Sequence, residues 1–130
     1  MTAVECVVYT KHVRNAFGRF IRQKREELLE DDASYSVRRV AARIGVEPSY
    51  LSKVERGLEA PPSEARTTAL AEVLGEDPDV LLALAGKVSG DLQEVIMKRP
   101  RLFAELIRQF KDMPDHAVLR LVREVRDGKW

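Results

Sequence analysis

The sequence predicts an all-α fold, with a five-helix domain followed by a short C-terminal helical segment. Apolar residues recur at i, i+3, i+4 and i+7 in several segments, which is the spacing of one face of an α-helix. Its 130 residues suit one domain with a core, and a composition of 33% charged and 45% hydrophobic residues is globular. The glycines are interpreted as punctuation between helices: Gly18, Gly45, Gly57, Gly75, Gly86 and Gly90.

Residues 1–14 are predicted to form an N-terminal extension whose structure the sequence leaves open. Their β-branched residues suit a strand, but one isolated strand is not stable. The segment can pair with a partner chain, extend the next helix or remain disordered.

The first helix of the domain is predicted to begin near Asn15, a suitable cap, and to run to Leu29. Its inner face is expected to hold a stripe of mostly apolar residues with Arg25 beside it. The residues of this stripe are Phe17, Phe20, Ile21, Lys24 and Leu28.

The stretch from Ser36 to Gly57 predicts two short helices joined by a tight turn. Ser36 suits the N-cap of the first helix, and Gly45 suits the turn because glycine tolerates the left-handed conformation. Pro48 suits the first position of the second helix, which Gly57 ends. The apolar face of the first helix comprises Val37, Val40, Ala41 and Ile44.

The second of these helices has two unlike faces. Its inner side is expected to hold Pro48, Leu51, Val54 and Glu55. Its outer side is small, polar and cationic, and holds Ser49, Ser52, Lys53 and Arg56, with Tyr50 on the flank. An unpaired buried carboxylate is costly, so Glu55 implies a buried cation beside it.

Three segments of the chain, VAARIG, YLSKVERG and ALAEVLGEDPDVLL, carry a resemblance to a known family. They resemble the helix-turn-helix of the Cro and lambda-repressor type, called the Xre family of bacterial and phage regulators. The resemblance covers about residues 17–84 and implies a lambda-repressor-like domain that binds double-stranded DNA. In this family a late arginine of the first helix pairs with a glutamate of the recognition helix, which implies a structural ion pair between Arg25 and Glu55. A guanidinium is also a suitable bidentate partner for a buried carboxylate.

The resemblance places the helix from Pro48 to Arg56 in the major groove of DNA. The residues expected to contact base edges are Ser49, Ser52 and Lys53. The residues expected to contact the phosphate backbone are Arg38, Arg39, Arg43, Tyr50 and Arg56. Pro48 stands where some family members carry a polar base-contacting side chain, so the readout shifts toward Ser49 and Lys53. The acidic loop EDDASY is longer than the family's usual connection, and we expect it to point away from the phosphates.

Two further helices complete the domain, whose predicted range is residues 15–86. Ser63 caps the fourth helix and Gly75 ends it, whereas Pro78 begins the fifth helix and Gly86 ends it. The residues expected to face inward are Ala69, Leu70, Val73, Leu74, Val80, Leu81 and Leu84.

Residues 87–130 form the predicted C-terminal segment, with helices that begin near Asp91, Pro100 and Pro114. Three short helices bury too little area to be stable alone, so they pack on the N-terminal domain, on a second copy, or on both. A homodimer suits a protein that reads two half-sites through two-fold symmetry. The expected dimer or partner surface comprises Leu102, Phe103, Leu106, Ile107, Phe110, Val118, Leu121, Val122 and Val125.

Positive charge is concentrated in the predicted DNA-binding half. Residues 11–57 contain 11 Lys and Arg against 7 Asp and Glu, although the whole chain carries a formal charge of only +1. The chain has no apolar run long enough to cross a membrane, no signal-peptide pattern and a single cysteine, Cys6. These features favour a cytoplasmic protein.

The sequence shows no catalytic constellation. His12 and His116 have no partners at metal-ligand spacing, and no nucleotide-binding glycine motif occurs. We therefore expect no enzyme activity, no cofactor and no metal site.

The predicted function is sequence-specific binding of double-stranded DNA as a transcriptional regulator, in the form of a dimeric repressor that reads an inverted repeat. The alternative is an antitoxin that represses its own operon and binds a toxin through its C-terminal helices. A protein-interaction module without a DNA role is disfavoured, because the outer face of the second helix is cationic.

Overall fold

The computed structural model describes residues 3–128, whose helices are joined by turns and loops and which contain no strand. These residues fall into two compact units that divide between Ser89 and Gly90. The first unit contains α1 (Ala3–Leu29), α2 (Val37–Ile44), α3 (Pro48–Glu55), α4 (Glu64–Leu74) and α5 (Pro78–Leu84). The second contains α6 (Gly90–Lys98), α7 (Pro100–Phe110) and α8 (Asp115–Arg126). The predicted all-α fold of five helices and a C-terminal helical segment is confirmed.

Helix α1 is longer than predicted, since it begins at Ala3 and not near Asn15. Residues 3–14 contain neither glycine nor proline, so nothing in the backbone prevents the helix from continuing through them. Of the three alternatives left open by the sequence, extension of the next helix is the one found for this segment. Met1 and Thr2 lie outside the described residues.

The ends of α2 and α3 are those that the sequence predicts. The Ser36 side chain accepts a hydrogen bond from the Arg39 N–H at 3.3 Å and so caps α2. Gly45 ends α2 with φ of 75°, a left-handed conformation that favours glycine. Pro48 occupies the first turn of α3, and Gly57 follows its end, also with φ of 75°.

The connection between α1 and α2 contains a short 3₁₀ turn at Ala33–Tyr35. The Asp32 carboxylate caps this turn by accepting from the Ser34 N–H at 2.9 Å. Tyr35 packs against the core, so the end of the loop is attached to the domain although its acidic residues are exposed.

The core of the first unit lies where α1 to α5 meet. Most predicted inner residues are buried there, but Val80 is 43% exposed and Pro48 is also exposed, so both predictions were wrong. Leu82, only 2% exposed, takes the inward position on α5. The fully buried large side chains are Phe17, Ile21, Val40, Leu51, Val54, Thr67, Leu70, Leu74, Leu81 and Leu82.

The two later helices of this unit have regular caps. The Ser63 side chain accepts from the Arg66 N–H at 3.4 Å at the start of α4, and Gly75 ends this helix with φ of 70°. Asp77 caps α5 by accepting from the Asp79 N–H at 2.8 Å. The residues that begin and end α4 were thus predicted correctly.

The second unit has a different character, because α6, α7 and α8 contain no buried residue. Their apolar residues are amphipathically spaced, yet most remain accessible. None of the described helices is long and apolar enough to cross a membrane.

Candidate nucleic-acid interface

Helix α3 presents a polar and cationic face to solvent. Ser49, Lys53 and Arg56 are exposed, and Ser52 is partly exposed on the same side. The Arg56 Nε donates to the Ser52 carbonyl oxygen at 3.3 Å. This face offers hydroxyl and ammonium donors of the kind that contact base edges and phosphates.

The opposite face of α3 is fixed to α1 by a buried ion pair. Arg25 donates from Nε to Glu55 Oε2 at 2.7 Å and from Nη2 to Glu55 Oε1 at 2.9 Å. The two residues are 6% and 7% exposed, and Leu51 and Val54 of the same helix α3 are buried in the core. Because both carboxylate oxygens are bonded, the pair holds α3 in one rotation relative to α1.

Arg25 also connects this pair to the loop before α2. Its Nη1 donates to the Tyr35 carbonyl oxygen at 3.2 Å. The hydrogen bond and charge of Glu55 raise the pKa of the guanidinium, while burial opposes this shift. The arginine therefore remains charged and satisfies groups on two neighbouring elements.

Gly18 allows α1 to lie very close to the end of α3. A Cβ at this position would lie 2.7 Å from the Glu55 carbonyl oxygen and closer still to that of Val54. The residue lies inside α1, so its interpretation as punctuation between helices was wrong. Its function is close packing, and a glycine in the middle of an otherwise helical run was the available signal.

Arg66 stabilises the turn between α2 and α3, a function that the sequence analysis missed. Its Nη1 donates to the Ile44 carbonyl oxygen at 3.1 Å and also to that of Gly45. These carbonyls lie at the C-terminal end of α2, where they lack helical partners. No local pattern identified this contact, because 21 residues separate Arg66 from Gly45.

The arginines of α2, expected at the phosphate backbone, differ in their surroundings. Arg38 and Arg39 are exposed. Arg43 is exposed too, but its Nη2 donates to the Ser34 carbonyl oxygen and its guanidinium lies 4.7 Å from the centre of the Tyr35 ring. Arg43 is thus held against the loop by a hydrogen bond and a cation–π contact.

The acidic loop before α2 interacts electrostatically with two of these arginines. Hydrogen bonds from Ser34 lower the pKa of Asp32, and the charges of Arg43 and Arg39 lower it further. Asp32 therefore lies near enough to Arg39 and Arg43 to feel their charge, and the expectation that the loop points away from the DNA phosphates stays a prediction.

Tyr50 is partly buried on the flank of α3. Its hydroxyl donates to the Ala60 carbonyl oxygen at 3.4 Å, and its ring packs against the core. Burial and the charge of Glu59 raise its pKa, while Arg66 opposes the shift. The tyrosine consequently stays neutral as a hydrogen-bonding group.

The expected partner surface of the second unit is largely accessible. The exposed members are Leu102, Phe103, Leu106, Ile107, Val122 and Val125, and the partly buried members are Phe110, Val118 and Leu121. Within the part of the chain that the structure describes, no group of three or more His, Cys, Asp or Glu residues could hold a metal ion.

Comparison with known proteins identifies sequences related to this chain. A family model described as a helix-turn-helix domain matches residues 16–84, slightly more than half of the chain. Uncharacterized HTH-type transcriptional regulators from two strains of Mycobacterium tuberculosis are each 41% identical over 69 residues. This alignment covers 53% of the present chain and 45% of each relative, so the chain spans less than half the length of the curated relatives it matches. No solved structure matches the chain.

Proposed function

Since the chain belongs to the helix-turn-helix domain family, we propose that it is a transcriptional regulator of the Xre type that binds double-stranded DNA sequence-specifically. The names of the two mycobacterial relatives agree with a role in transcription. We place its activity in the cytoplasm, where it acts as a repressor.

The observation that carries this proposal is the contrast between the two faces of α3. One face is buried and fixed by the Arg25–Glu55 pair, so the helix cannot rotate freely. The other face is exposed and carries Lys53 and Arg56 with two serines. A rigid helix with such a face suits insertion into a major groove.

The contacts divide into base readout and backbone positioning. We assign the contacts with base edges to Ser49, Ser52 and Lys53. Lysine donates hydrogen bonds to guanine O6 and N7, whereas a serine hydroxyl can form hydrogen bonds with several different bases. We assign phosphates to Arg38, Arg39 and Arg56, with Arg43 and Tyr50 at the edges of the same surface. Arg43 and Tyr50 are already hydrogen-bonded within the protein, which makes them weaker contributors than the others.

We further propose that the chain binds DNA as a homodimer through its C-terminal unit. Apolar side chains such as Leu106 and Ile107 on α7 and Val122 on α8 are 45 to 49% exposed, which is an unfavourable state for an isolated unit. Two-fold pairing of these faces covers them and presents two copies of α3 to an inverted repeat.

Selection of bound duplexes from a random DNA pool at near-physiological salt tests the proposed function. The expected result is an enriched inverted repeat whose half-sites lie about one helical turn, roughly 34 Å, apart. Recovery of no preferred sequence, with binding that disappears as salt rises, contradicts sequence-specific readout.

The dimer is tested by sedimentation of the wild type and of Ile107→Glu, with Arg101→Glu as a control at an exposed polar position of the same helix. We expect a dimer for the wild type and the control and a monomer for Ile107→Glu. If the wild type is monomeric, the apolar faces of the C-terminal helices are available to bind another protein. That result favours the antitoxin alternative, in which a toxin covers the C-terminal helices, and co-purification with such a partner supports it.

A further inference from the structure

We propose that a recess between α1 and the end of α3 binds one phosphodiester of the DNA backbone, beside the bases that α3 reads. The recess has a volume of about 300 Å³ and is lined by Asn15, Arg19, Arg22, Glu55 and Arg56. The inference rests on the proposed function and adds a backbone contact from α1, which the sequence analysis did not assign.

The recess lies beside the close packing at Gly18. Because this residue has no Cβ, the backbone of α1 reaches the carbonyls of Val54 and Glu55. The positions one and four residues later, Arg19 and Arg22, follow at helical spacing and so lie on one side of α1 next to Arg56. Three guanidinium groups, two from α1 and one from the residue that follows α3, therefore line one opening.

The charge around this opening favours an anion. Both oxygens of Glu55 are bonded to Arg25, so its carboxylate does not neutralise the other arginines. Arg22 donates to Glu26 at 3.0 Å in an exposed pair that costs little to rearrange. Among the described residues, Arg19 and Arg56 have no carboxylate within ion-pair distance.

The carbonyl groups at the end of α3 do not oppose an anion strongly. Helix C-termini carry partial negative charge on unpaired carbonyls. Here Ser52 O accepts from the Arg56 N–H at 3.1 Å, Val54 O from the Gly57 N–H at 3.1 Å, and Lys53 O from the Leu58 N–H at 2.8 Å. These bonds offset part of that negative charge, and three guanidinium groups line the same opening.

The position of the recess identifies the anion as a phosphate of the same duplex. Arg56 borders the recess and also ends the exposed face of α3 that carries Lys53. A DNA strand that passes this face continues past the recess, and guanidinium groups match phosphate geometry well. A phosphodiester needs no enclosed pocket, and this site is open.

The test measures binding of the duplex selected by the wild-type protein as a function of salt. Arg19→Gln and the charge-matched pair Arg22→Gln with Glu26→Gln remove the proposed donors without leaving a carboxylate unpaired. Lys24→Gln is the control, because it removes one charge from the same helix on the side that faces Glu76. Thermal melting verifies that each variant is folded.

We expect Arg19→Gln to weaken binding on the order of tenfold at low salt and to reduce the slope of log K against log salt by about 0.9. The double variant Arg22→Gln with Glu26→Gln is expected to act in the same direction. Lys24→Gln is expected to change neither the affinity nor the salt slope. Duplexes carrying one neutral methylphosphonate then locate the contact. One such replacement, beside the bases read by α3, is expected to weaken the wild type but not Arg19→Gln.

Equal salt slopes for Arg19→Gln, the double variant Arg22→Gln with Glu26→Gln, and the control Lys24→Gln overturn the proposed phosphate site. Sequence-specific binding by the wild type is unaffected by that result. A wild type that selects no sequence overturns the proposed function, and the phosphate site with it. The two failures are thus distinguished by the wild-type selection alone.

Discussion

Arg25 on α1 and Glu55 on α3 form a bidentate buried ion pair, with hydrogen bonds of 2.7 and 2.9 Å. This contact joins the helix that is expected to read DNA to the longest helix of the first unit. Since Arg25 also donates to the carbonyl of Tyr35, one guanidinium fixes α3 and the loop before α2 together.

Replacement of Glu55 by alanine should strongly destabilise the first unit, because it leaves a buried guanidinium without its partner. We expect a loss of about 3–5 kcal/mol in the free energy of unfolding, measured by urea denaturation. Glu59→Ala, at an exposed position, is the control and should change little. A double replacement, Arg25→Met with Glu55→Leu, should lose less than Glu55→Ala alone. Unchanged stability of Glu55→Ala would show that the pair does not form.

The contact at Gly18 predicts a steric penalty. Gly18→Ala places a methyl group against the carbonyls of Val54 and Glu55, so α3 must shift, and we expect a loss of about 1–3 kcal/mol together with weaker DNA binding. Gly90→Ala is the matched control, since a Cβ there meets no atom within 4 Å. The control should be neutral or slightly stabilising. Equal stability of the two variants contradicts the close approach of α1 to α3.

The hydrogen bonds of Arg66 predict that this side chain supports the turn between α2 and α3. Arg66→Met keeps an unbranched apolar stem but removes the donors to Ile44 and Gly45. We expect a loss of about 1 kcal/mol in stability, observed by chemical denaturation. Arg101→Met, which changes an exposed residue of α7, should leave the unfolding of the first unit unaltered. A similar loss in both variants argues against a specific function of Arg66.

The environment of Tyr50 predicts a dependence on alkaline pH. Its pKa in the folded protein is raised above its usual value of 10.0, mainly by burial. The unfolded chain therefore releases this proton first, so the stabilisation is complete below pH 10 and is lost as pH rises through the folded-state pKa. An ultraviolet titration of phenolate in the wild type and in Tyr50→Phe isolates this group from the other tyrosines. Ionisation of Tyr50 at or below pH 10 contradicts the burial argument.

Local sequence signals were sufficient to predict most of the helix ends. Ser36, Gly45, Pro48, Ser63 and Gly75 each act through a cap, a left-handed turn or a fixed φ angle, and each effect depends on only a few neighbouring residues. The inward positions Leu51 and Val54 followed from helical periodicity.

Features that depend on distant contacts could not be predicted in this way. Asn15 has the chemistry of a cap, but the helix continues through it because no breaker precedes it. Val80 and Leu82 are both apolar, and the packing of α5 on its neighbours selects Leu82 for the core. Arg66 acts on residues that are far away in sequence, so no local pattern shows its function. Gly18 stands out locally as a glycine inside a helical run, but the carbonyls that it packs against are distant in sequence.

The central claim is that the exposed face of α3 reads bases, and the most direct measurement compares selected DNA sites for the wild type, Lys53→Ala and Arg39→Gln. We expect Lys53→Ala to lose preference at one position in each half-site. Arg39→Gln should keep the wild-type consensus while weakening every sequence alike and reducing the salt slope by about 1. An unchanged consensus for Lys53→Ala, or identical effects of the two substitutions, would contradict base readout by this face.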